Sequence, residues 1–138
     1  MEECRRDPDA LLMFSGGETR DKTGPETEGS SYYRVADAMN LWPVGSNVRA
    51  RTITEEFATD SFENLLFSIC RFHEITGAYP TKITVVSFSF KRPRFETIHP
   101  PALPWPALPF AYLRVDPPAT TRCNPVEASH GQHATPAN

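Results

Sequence analysis

The stretch Asp60-Ser61-Phe62-Glu63-Asn64-Leu65-Leu66-Phe67-Ser68-Ile69-Cys70-Arg71-Phe72 runs on through Gly77 and Pro80 into Ile83-Thr84-Val85-Val86-Ser87-Phe88. Asp60 is suited to cap a helix, and Glu63 three residues later completes a capping-box spacing. Phe62, Leu65, Leu66, Ile69 and Phe72 then fall on one helical face. Gly77 suits the left-handed residue just past a helix end, and Pro80 blocks continuation. Residues 83–88 are β-branched with an aromatic end and predict a buried strand.

Working outward, Ala10 to Phe14 is a short apolar run stopped by Ser15-Gly16-Gly17, which predicts another buried strand. A polar loop from Glu18 to Gly24 carries Arg20 and Lys22. Pro25 suits the first turn of a helix, with Glu26 and Glu28 near its positive end. Tyr32, Val35, Ala36 and Met39 form a one-sided stripe on it, and Pro43 and Gly45 end it. Arg49 to Thr54 is a weaker strand candidate. A short helix is expected around Arg94 to His99 and a last strand at Phe110 to Val115. Such alternation predicts an α/β fold with a mainly parallel sheet. Right-handed crossovers put helices on both faces, and ligands then bind outside the carboxyl ends of the strands.

The chain has 138 residues, enough for one ordinary domain. Fourteen basic against 17 acidic residues leave a net charge of −3. That excludes a nucleic-acid binder working by bulk charge and a strongly acidic disordered chain. No apolar run approaches the roughly 20 residues that span a bilayer. Met1 to Asp7 has no apolar stretch behind its charges, unlike a secretory signal. Cys4, Cys70 and Cys123 are too few and too scattered for a disulfide framework or a zinc site. A cytoplasmic chain is the expectation, with no membrane and no nucleic-acid partner.

Nine of the 14 prolines lie at or after Pro100. The tail from Pro117 to Asn138 holds too little apolar surface to offset its ordering entropy and is expected to be disordered. The domain is therefore placed at residues 9–116. Pro101 to Pro109 repeats PALP and fits two PxxP registers, so it is a conceivable protein-partner ligand. A rigid crossing loop pinned by Trp105 and Phe110 is the simpler reading.

Candidate chemistry gathers at the predicted strand ends. Ser15-Gly16-Gly17 suits a backbone cradle for an anion, or simply a tight strand-ending turn. Asp60 and Glu63 are explained by capping, whereas Asn64 is a poor helix-interior residue. Beside the strand ends, Asn64 can hydrogen-bond a ligand. Lys91, Arg92 and Arg94 follow a strand and can neutralise an anion, or form a solvated patch. No GxSxG, HExxH or supported cysteine motif is present. His73 reads as a partly exposed helix residue and His99 as a helix end before Pro100. His130 and His133 form an HxxH without further ligands, so no metal site is expected.

With these residues in hand, the chain resembles the SanA/ElyC/YdcF-like family, domain of unknown function 218, in its soluble fungal form. Leu11 to Gly17 resembles that family's strand ending in SGG, and Glu28 the glutamate opening its next helix. Glu55 to Asn64 resembles its acidic, Ser/Thr and Asn cluster. Ile83 to Arg94 resembles the strand leading to a His-x-x-Arg pair, with Lys91 in the histidine's place. Lysine binds anions but is a poor proton shuttle near neutral pH. The resemblance implies a Rossmann-like three-layer αβα fold with a polar cleft. Its implied site residues are Ser15, Gly16, Gly17, Glu28, Asp60, Ser61, Asn64 and Arg94. The family also opens with a strand before SGG, for which Met1 to Ala10 offers six charged residues and no apolar run. One central strand and one wall of the cleft are therefore expected to be missing.

The functional expectation is binding of a small anionic or nucleotide-like molecule. Backbone donors come from Ser15 to Gly17, charge from Arg94, Lys91 and Arg20, and orientation from Glu28 and Asn64. Glu28 is the candidate general base, and no particular cofactor is implied. The alternative is a non-catalytic remnant or interaction module with the PxxP-like segment.

Overall fold

The computed structural model describes residues 1–18, 26–103 and 108–117. Arg20, Pro25, Trp105, Cys123 and the tail beyond residue 117 lie outside them. The long helix, α3, runs from Ser61 to Thr76. The Asp60 side chain accepts from the Phe62 and Glu63 N–H groups, both at 2.8 Å. Glu63 returns the bond to Thr59 N at 2.7 Å. Gly77 ends the helix at φ 72°, and its N–H bonds to His73 O. A side chain here would be strained, which is why glycine holds the position.

Four strands surround α3. They are β1 (Leu12–Ser15), β2 (Thr52–Glu55), β3 (Ile83–Ser87) and β4 (Phe110–Arg114). β1 pairs with β2 and β3 with β4, both parallel. The α/β class and parallel pairing agree with the sequence reading, but the single sheet does not form. Instead there are two two-stranded sheets, because no strand among the described residues carries the ladder from one pair to the other.

Helical cover is uneven. Leu65 and Ile69 of α3, with Phe95, form the core against Ile83, Val85, Phe110 and Tyr112. On the opposite face of that sheet, cross-strand partners Val86 and Leu113 are 56% and 42% exposed. Parallel sheets normally bury both faces, so among the described residues this one lacks a layer on its second face.

Helix α2 spans Glu28–Ala38, starting later than Pro25 predicts because Thr27 caps it, accepting from Ser30 N at 3.1 Å. Of its predicted apolar stripe only Ala36 is buried: Tyr32, Val35 and Met39 are exposed, and the buried line is Gly29 and Ala36. The cause is close approach. A Cβ on Gly29 would lie 2.8 Å from the carbonyl oxygens of both Phe14 and Glu55, so only small residues fit that line.

A helix the sequence reading did not anticipate, α1, covers Glu2–Arg6. Arg51 pins it to the start of β2. The guanidinium donates to the carbonyls of Cys4 (2.8 Å), Asp7 (3.0 Å) and Ala10, while Nε donates to Asn47 Oδ1 (2.9 Å).

Candidate functional site

The carboxyl ends of β1 and β2 bring Ser15 and Glu55 into direct register. Ser15 Oγ donates to Glu55 Oε2 at 2.5 Å, and the Asn64 side-chain amide lies 2.9 Å from the same hydroxyl. Glu55 is buried, and its other oxygen accepts from Phe57 N (2.7 Å) and Ala58 N (3.0 Å). Sequence reading placed Glu55 in the acidic cluster but gave it no role. This carboxylate in fact organises the loop between β2 and α3.

Gly16 and Gly17 stand at the same end, but their N–H groups are donated to Glu55 O (3.0 Å) and Ala58 O (2.6 Å). Their carbonyls in turn accept from Gly29 N (2.9 Å) and Glu28 N (3.1 Å), joining the strand end to α2. An anion would have to compete with these bonds for the glycine donors. Glu28 is exposed at the start of α2. Arg20 lies outside the described residues.

The second cluster lies one turn earlier on α3. Arg94 to Ile98 form a π-helical turn after β3, closed by a 2.8 Å bond from His99 N to Arg94 O. This five-residue winding is wider than an α-helix and places Arg94, Ile98 and His99 along one wall. Asp60, Ser61 and Phe62 form the facing wall of an open cleft of about 300 Å³. His99 Nε2 and Ser61 Oγ are 2.9 Å apart across it. Burial holds the imidazole below the usual histidine pKa; Asp60 works against that shift and Arg94 adds to it.

Asp60, Ser61 and Arg94 are thus brought together, while Ser15, Gly16, Gly17 and Asn64 form a separate, adjoining cluster. Lys91 lines neither; its ammonium sits 5.9 Å from the Phe90 ring centroid. His99 joins the cleft although it reads from sequence as a helix end. Its signal was the spacing of five from Arg94, which places it with that residue only on a π-turn. Among the described residues, no three His, Cys, Asp or Glu side chains gather as a metal site.

This chain is similar to the uncharacterised Saccharomyces cerevisiae protein YOR238W, with 30% identity over 141 aligned residues. The alignment takes in 78% of this chain and 46% of the yeast protein, so the chain spans about half the length of that relative. No family model matches the chain, and no solved structure does.

Proposed function

We propose that the chain binds a small anionic or nucleotide-like molecule in the cleft between the start of α3 and the π-helical turn. The observation that carries this reading is Arg94. It lines the cleft yet has no carboxylate within ion-pair distance among the described residues. The Asp60 carboxylate nearby is engaged by the first-turn N–H groups of α3, so the helix start balances its charge. Of the residues that the resemblance to the SanA/YdcF-like family implies, Asp60, Ser61 and Arg94 line this cleft. No helix among the described residues is long and apolar enough to cross a membrane, and we place the binding activity in the cytoplasm.

The test is thermal unfolding with inorganic phosphate, adenosine monophosphate and a sugar phosphate. A ligand at 100 times its Kd adds about 2.7 kcal/mol of stability. One of these should raise Tm in the unaltered protein and fail to do so in Arg94→Ala. A shift that survives Arg94→Ala, or no shift with any of them, overturns the assignment.

The uncovered face of β3 and β4 favours a second reading, an interaction module that is complete only with a partner. Under it, the protein alone would bind a hydrophobic dye strongly in native buffer. Weak dye binding would count against it.

A further inference from the structure

His99 is 8% exposed, and its ring is fixed from two sides. Phe95 meets it edge-on at 5.2 Å between centroids, and Phe62 lies at 5.7 Å. The ring therefore has little freedom to leave Ser61, 2.9 Å away. Ser61 is the first residue of α3, directly after the Asp60 cap, whose carboxylate takes the Phe62 and Glu63 N–H groups. A serine hydroxyl bonded to an oriented imidazole in a cleft has the geometry of an activated nucleophile.

We propose that Ser61 is a nucleophile and His99 its general base, in an acyl-transfer site for small carboxylic esters that carry an anionic group. The anionic preference rests on the reading of Arg94 given above; the pairing of Ser61 with His99 does not. Ser61 Oγ bonds to the ester carbonyl carbon while its proton passes to His99 Nε2. The alkoxide leaves with that proton, so the C–O bond to the alcohol breaks and an ester on Ser61 remains. Water then attacks the same carbon and gives a proton to His99. That proton returns to Ser61 Oγ as the acid departs, so ester and water become acid and alcohol. Burial keeps the imidazole neutral at neutral pH, as a base must be. The charged groups facing it are Asp60, from the cap of α3, and Arg94, from the π-turn.

A fluorophosphonate probe tests the pair, because it marks an activated serine with loss of fluoride. Mass spectrometry should place the adduct on Ser61, and Ser61→Ala should abolish it. His99→Gln keeps a hydrogen-bonding side chain but should slow labelling by about 100-fold or more. No adduct on Ser61, or equal labelling of His99→Gln, overturns the proposal. Should His99→Gln lose cooperative unfolding, the pH dependence of the unaltered protein decides. Labelling should fall as pH drops through the His99 pKa, which burial holds below its ordinary value of 6.5, and a flat profile overturns the proposal.

Hydrolysis of p-nitrophenyl acetate and mono-p-nitrophenyl succinate separates the two readings. An Arg94-dependent phosphate shift without labelling removes the Ser61–His99 pair alone. Labelling with equal turnover of both esters, and no phosphate shift, removes the anion reading alone.

Discussion

Glu55 shows how much one buried carboxylate can organise. It takes the Phe57 and Ala58 N–H groups on one oxygen and the Ser15 hydroxyl on the other. Glu55→Ala strands those donors, and an unsatisfied buried group costs about 1–3 kcal/mol. Urea denaturation should therefore show a loss of about 2–3 kcal/mol, against little change for the neighbouring Glu56→Ala. His99 makes a different prediction, on pH. Its pKa is lowered in the folded chain from an ordinary value of 6.5, chiefly by burial. The unfolded chain thus takes up the proton first as pH falls. The His99 contribution to stability is whole above about pH 6.5. It then declines with falling pH until the folded pKa is passed. Melting curves across that window should slope less for His99→Gln than for the unaltered protein. Neither residue was easy to read in the sequence. Glu55 sits beside Glu56 and looks like part of a solvated acidic run. His99 precedes two prolines and looks like a stop, because its role depends on a π-winding that no residue pattern announces.

At the level of elements, α3 and β3 were the most legible because independent signals agreed there. Cap, apolar face, left-handed glycine and β-branched run all point the same way. α2 was less so. Its large apolar residues suggested a buried stripe, but Gly29 brings the helix close to Phe14 and Glu55 and hands the buried line to small residues. Periodicity records which residues share a face, not how near the neighbouring backbone comes. β3 gives the element-scale prediction. Val85 packs on the α3 core, whereas Val86 points to the uncovered face at 56% exposure. Val85→Ala should cost about 1–2 kcal/mol, and Val86→Ala should stay within about 0.5 kcal/mol. Equal losses in paired denaturation curves would mean that something covers the outer face.

Over the whole molecule, alternation of strands and helices correctly indicated parallel pairing, and it could not show that the strands divide into two sheets. Sheet membership depends on which strand lies between which, and that is a matter of contacts far apart in sequence. The same limit applies to the candidate residues: the place of Ser15 at a strand end was legible, but their division into a Ser15–Glu55–Asn64 cluster and a Ser61–His99–Arg94 cleft was not. The two halves of the chain are also fastened by different chemistry. The cleft side depends on His99, whose pKa burial lowers and which takes up a proton as pH falls. At the amino-terminal side, Arg51 is answered by the carbonyl oxygens of Cys4, Asp7 and Ala10 and the Asn47 amide, which do not titrate, with the Cys4 thiol 3.4 Å away. We therefore expect dismantling on acidification to follow a fixed order. Amide exchange at about pH 4 should show the π-helical turn losing protection while the turn after α1 keeps it. A guanidinium clasp of this kind is an anchor that neither acid nor added salt unfastens, so the first residues of the chain should be among the last to let go.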